Sequence, residues 1–128
     1  MRSFLHTIAC LLLFISGQSF ADSHPVHFMA CNFTEGKGMD DMMSYVEKWN
    51  AALGDGEGYE AYIMTPTFTS DPDTPDFVWA GAWKSMTSMG AGMDAYAANE
   101  AVAAVDNEHW PATCEMHTLW SSTQVREG

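Results

Sequence analysis

The chain has 128 residues, the size of one ordinary domain. Hydrophobic residues make up 47% and charged residues only 17%, which excludes a disordered polyampholyte. Asp and Glu number 17 against 5 Lys and Arg, a net charge of −12; such a surface argues against nucleic acid and anionic membranes, both of which need clustered cations.

Residues 1–21 read as a cleaved signal peptide. Arg2 supplies the positive start, and residues 8–15 are an unbroken apolar run, far short of the roughly 20 residues that span a bilayer. Ser19 and Ala21 put small residues three places and one place before the cut. Cys10 lies inside the apolar run rather than after it, so lipid attachment is not expected. The mature domain is then residues 22–128, exported to the periplasm or outside the cell and free of the membrane after cleavage. Cleavage removes Cys10 and leaves Cys31 and Cys114, and two cysteines in an oxidising compartment predict one disulfide.

Residues 26–33 read as a first strand, rich in large side chains, and 34–38 as a turn with two glycines. Met39, Met42, Met43, Val46, Trp49 and Leu53 recur at helical spacing. Asp40 and Asp41 fall in that helix's first turn, where its dipole favours anions, and Gly54 is placed to end it. Residues 59–68 read as a second strand, 69–76 as turn chemistry and 77–84 as a third strand. Residues 85–106 form one helical region rich in Ala and Met, interrupted near its start by Gly90 and Gly92, and 114–125 a fourth strand. The order β-α-β-β-α-β is the ferredoxin-like α+β arrangement. Right-handed crossovers give a four-stranded antiparallel sheet ordered 4-1-3-2 with both helices on one face. The other face is left bare, and its aromatic strands predict that it meets a second copy in a homodimer.

This layout, with Phe28-Met29-Ala30-x-Asn32 on the first strand and Trp83-Lys84-Ser85 ending the third, resembles the dimeric α/β-barrel superfamily. That group includes antibiotic-biosynthesis and haem-degrading monooxygenases. In the haem-degrading members a first-strand asparagine works beside a tryptophan and a histidine on the second helix. Those positions fall here near Gly92 and Val102, which cannot do that work. The resemblance implies the barrel fold and gives no support to haem breakdown.

If Cys31 lies opposite Cys114, strand alternation places His27, Met29, Cys31, Phe33, Cys114, Met116, Thr118 and Trp120 on one face, under the helices. Val26, Phe28, Ala30, Asn32, Glu115, His117 and Leu119 then share the other. Three polar groups on that apolar surface either pair structurally or face a wet cleft. The second reading gives a candidate catalytic set: Asn32 orients a ligand, and His117, tuned by Glu115, handles a proton. Phe28, Trp79 and Trp83 are the matching candidates for ligand contact. The leading functional expectation is an exported small-molecule-binding barrel that needs no cofactor. Its enzymatic form is a cofactor-independent oxygenase or isomerase acting on a small hydrophobic or aromatic compound.

Other motifs carry less. Gly90-Ala91-Gly92-Met93-Asp94-Ala95 fits a dinucleotide fingerprint only on paper, since the required βαβ context is missing; close packing at a helix start explains it better. Asp71, Asp73 and Asp76 lack the glycine and glutamate of a calcium loop and read as a hairpin loop. Asn32-Phe33-Thr34 is a glycosylation sequon at a strand end. The methionines of both helices fall at core spacing, which favours packing over Cu(I) binding. The competing functional expectation is an exported copper-binding protein. Cleavage after Ala21 exposes Asp22-Ser23-His24, whose amine, two amides and imidazole can wrap Cu(II) in a square plane; the plain alternative is an unstructured tail.

Overall fold

The computed structural model describes residues 23–56 and 58–126. The expected signal peptide and Asp22 lie outside these residues. Seven elements follow one another: β1 (Ser23–Phe33), α1 (Met39–Leu53), β2 (Tyr59–Met64), β3 (Phe77–Trp83), α2 (Met86–Ala97), α3 (Glu100–His109) and β4 (Ala112–Thr123). The strands form one antiparallel sheet in the order β2-β3-β1-β4, the expected 4-1-3-2 arrangement.

Helix α1 has the predicted bounds because its ends are local chemistry. Asp41 reaches back to accept from the Gly38 N–H at 3.1 Å, and Lys37 holds the same carboxylate at 2.9 Å. Gly54 at φ 69° then ends the helix, with its N–H on the Asn50 carbonyl. The expected single helix at 85–106 is two. Asn99 breaks it, capping α3 by accepting from Val102 N at 3.1 Å while its amide donates to Ala52 O at 3.2 Å. Gly90 and Gly92 do not interrupt α2, and Gly92 sits inside it, close against the Trp83 indole. Strand β2 stops at Met64, short of the predicted Phe68, with Pro66 just beyond.

The core lies between the sheet and the helices. Met42, Tyr45 and Trp49 of α1 and Val102 of α3 pack on Cys31, Phe77 and Trp79. Tyr45, absent from the predicted stripe, is buried, whereas Met43 is exposed. The methionine reading fails on α2, which buries no residue and leaves Met86 and Met93 exposed. Small residues dominate α2 and give it no wide apolar face to orient; Gly92 lies close against Trp83, and Tyr96 accepts from the Trp49 indole. Cys31 and Cys114 form the predicted disulfide between β1 and the edge strand β4.

Candidate functional site

The expected catalytic set does not assemble. Cys31 pairs with Cys114 as assumed, but the next pair is Ala30 with Met116, so Glu115 is an extra residue in β4. A bulge of one residue flips every side chain beyond it. His117 therefore stands opposite Met29 and stacks on His27 at 5.5 Å, on the helix side of the sheet. Met116, Thr118 and Trp120 move to the open face, the reverse of the expected sorting. Asn32 keeps its place on the open side but is occupied structurally. Its Oδ1 accepts from Asp76 N at 3.1 Å, and Asp76 Oδ2 accepts from Phe33 N at 2.8 Å. The three expected ligand contacts are also split, Phe28 facing outward while Trp79 and Trp83 face the helices.

The expected N-terminal metal site is also placed differently. Ser23 and His24 are not a free tail; they pair with Thr123 and Ser122 in the β1–β4 ladder. His24 Nδ1 lies 3.0 Å from the Lys84 carbonyl oxygen. Copper chelation by the two amides would require this end of β1 to leave the sheet. Among the described residues, no three His, Cys, Asp or Glu side chains converge as metal ligands.

What the fold does build is a groove of about 680 Å³ between α1 and the β2–β3 hairpin. Met43, Val46, Trp49, Asn50 and Leu53 of α1 form one wall, Ala61, Ile63 and Trp79 the floor, and residues 54–56 the rim. Asp55, at that rim, is the one charged group among its lining residues. Tyr59 enters the groove because Gly81 lies beneath it: a Cβ at position 81 would stand 2.6 Å from the phenolic oxygen. That contact lets Tyr59 Oη accept from Trp79 Nε1 at 3.1 Å. Burial raises the Tyr59 pKa, so the phenol stays protonated. Among the described residues its own proton has no acceptor. It is a spare donor on a residue that lines the groove.

Behind the groove the aromatic rings are continuous. Trp49 meets Trp79 edge-on at 5.5 Å and Tyr59 at 6.1 Å, and Trp79 meets Trp110 at 6.1 Å. Trp110 in turn meets Tyr45 at 4.9 Å. Asp106 of α3 accepts from two phenols, Tyr45 at 2.7 Å and Tyr96 at 2.6 Å, and Tyr96 accepts from Trp49 Nε1 at 3.1 Å. Burial first, then the Asp106 hydrogen bond, pushes Tyr96 up to about 12 and Tyr45 further still. Of these groups the sequence marks Trp79 as a candidate ligand contact and Trp49 only as part of the α1 stripe. Tyr59 was within its reach, since alternation along β2 and β3 puts residues 59, 61 and 63 on the Trp79 face.

No known family profile and no curated protein matches the sequence. Solved structures do match in fold. A Chloroflexus aurantiacus protein named after the antibiotic biosynthesis monooxygenases is 15% identical, at TM-score 0.52 over 82% of this chain and 98% of its own. SnoaB, a cofactor-independent oxygenase from Streptomyces nogalater, is 13% identical at TM-score 0.51, over 82% and 97%. A dimeric ferredoxin-like protein from Thermobifida fusca is 9% identical at TM-score 0.50, over 84% and 96%. At these identities the likeness establishes the ferredoxin-like fold.

Proposed function

We propose that this chain is an exported small-molecule-binding protein that works as a homodimer and carries out cofactor-independent oxygenation of a small, neutral, hydrophobic or aromatic compound. The observation that carries the reading is the groove between α1 and the β2–β3 hairpin. Its lining is mostly apolar and aromatic, with Asn50, Tyr59 and, at its edge, Tyr62 as the uncharged polar residues. That is the make-up of a pocket that takes an apolar body and orients one or two oxygens. A compound that reduces oxygen without a cofactor must supply the electrons itself, which suits an electron-rich phenol. The Tyr59 proton is placed to hydrogen-bond the phenolic oxygen or the developing oxyanion. The likeness in fold to SnoaB supports oxygenation as the chemistry.

Export rests on residues 1–21, with residues 22–128 as the mature domain in the periplasm or outside the cell. Dimerisation rests on the open sheet face, where Tyr62, Met116 and Trp120 are all more than half exposed.

The test is titration of the purified protein with neutral two- and three-ring phenols, read by tryptophan quenching and by oxygen uptake. Ile63→Trp, which fills the groove floor, is expected to abolish both while the melting temperature stays within a few degrees. Retention of full binding by that variant rules out the groove.

A further inference from the structure

We infer that the aromatic side chains behind the groove form a one-electron relay that ends on the hydrogen-bonded Tyr45–Asp106–Tyr96 couple. The inference adds to the oxygenase reading and rests on it for the natural source of the oxidant, an oxygen-centred radical formed in the groove.

The geometry has three parts. The entry rings, Trp49 and Trp79, line the groove itself. Two routes leave them. Trp49 passes directly to Tyr96, its indole N–H on the phenolic oxygen at 3.1 Å and the ring centroids 6.5 Å apart. Trp79 passes to Trp110 at 6.1 Å and Trp110 to Tyr45 at 4.9 Å. Every step is a contact between neighbouring π-systems, so a hole can pass without crossing saturated packing. Both routes end on one carboxylate, with Tyr45 on Asp106 Oδ1 and Tyr96 on Asp106 Oδ2.

That shared carboxylate is what a core-packing account leaves unexplained. A phenol loses an electron readily only if its proton leaves at the same time, and a charge-assisted hydrogen bond supplies the acceptor in advance. The step balances. The groove radical takes one electron and becomes an anion. Tyr96 loses one electron, and its hydroxyl proton moves to Asp106 Oδ2, leaving a neutral tyrosyl radical beside a protonated carboxyl. Trp49 keeps its hydrogen bond to the radical oxygen throughout. A soluble one-electron reductant of the ascorbate or thiol class then restores the phenol, and Asp106 returns the proton. Tyr96 is 36% exposed, so such a reductant can reach it. Tyr45 is 3% exposed and serves as the interior partner.

The experiment needs no substrate, so its failure leaves the groove reading standing. The purified full chain carries Tyr62→Phe, because that exposed phenol also donates to a carboxylate, Glu60, at 2.8 Å. A laser flash with tris(bipyridine)ruthenium and an electron acceptor generates the oxidant. Transient absorption and freeze-quench electron paramagnetic resonance then separate tyrosyl from tryptophanyl radicals. The expected result is a neutral tyrosyl whose rate of formation is flat from about pH 6 to pH 8, since a carboxylate and not water takes the proton. Tyr45→Phe with Tyr96→Phe is expected to strand the hole on tryptophan. Asp106→Asn is expected to slow tyrosyl formation by about tenfold or more, the loss of one charge-assisted hydrogen bond. Should Asp106→Asn not fold, the double phenylalanine variant and the pH profile still decide. Tyrosyl formation at the parent rate in either variant, or a rate that climbs with pH as free phenols ionise, overturns the relay.

Discussion

His117 lies opposite Met29 across the β1–β4 ladder, one residue out of step with the Cys31–Cys114 pair beside it. The offset comes from Glu115, which has no partner on β1 and turns the rest of β4 over. It brings two imidazoles into a stack on the helix side and leaves Met116 and Trp120 on the open face. One inserted residue thus decides both which groups meet and which surface a second copy can cover.

The stack makes stability depend on pH. Partial burial, then the facing His117, lowers the His27 pKa from the ordinary 6.5. Between that value and the lower folded one, the unfolded chain binds a proton that the folded chain does not. The His27 contribution is therefore fully present above about pH 6.5 and is lost as pH falls toward the folded value. Urea midpoints of the parent relative to His27→Gln, taken from about pH 7.5 down to pH 5, should fall on acidification. His117→Gln should make the fall shallower. A difference that grows as pH drops contradicts the assignment.

The disulfide closes a loop over a sequence separation of 83. In the chain-entropy account such a loop is worth about 4.5 kcal/mol, before any effect of native-state geometry. Unreduced, denatured protein should show no titratable thiol among residues 23–126. Cys31→Ala with Cys114→Ala should lower the urea midpoint by a corresponding amount, with part of the loss coming from the fully buried Cys31 side chain.

Gly81 should not tolerate a methyl group. An alanine Cβ would stand 2.6 Å from Tyr59 Oη and 2.8 Å from its Cε2. The phenol must swing away, breaking its bond with Trp79. Gly81→Ala should cost about 1–3 kcal/mol and weaken ligand quenching in the groove. Tyr59→Leu should relieve most of that cost, so the two substitutions should couple strongly in a double-mutant cycle. Simple additivity would mean that the ring does not rest on Gly81.

Trp120 is 61% exposed on the open face, its indole N–H donating to Thr118 Oγ1 at 2.9 Å. Trp120→Glu should change the stability of the isolated subunit by no more than about 0.5 kcal/mol. Light scattering behind size exclusion should give two chains for the parent and one for the variant. A parent that stays monomeric at micromolar concentration removes the dimer.

The parts of this protein that the sequence alone settles are those whose causes are local or chiral. Helix α1 keeps its predicted bounds because Asp41, Asp40 and Gly54 act within one turn of its ends. The strand order follows from the hand of crossovers, and the two cysteines found each other as expected. A local signal also marked the break at Asn99, an N-cap residue followed by Glu100, but the alanine-rich run around it read as continuous. Tertiary structure decided the rest. Glu115 carries no mark of a bulge, since register is chosen by the whole β1–β4 ladder together with the helices packed on it. Asn32 read as a site residue, yet its partner is Asp76, which only the β1–β3 pairing brings near. Tyr45, Tyr96 and Asp106 come from three helices, and nothing within a window of a few residues predicts that two phenols will share one carboxylate. Side-chain alternation is short-ranged and fails at the first inserted residue, whereas a site is made by long-range contacts that exist only once the chain has folded.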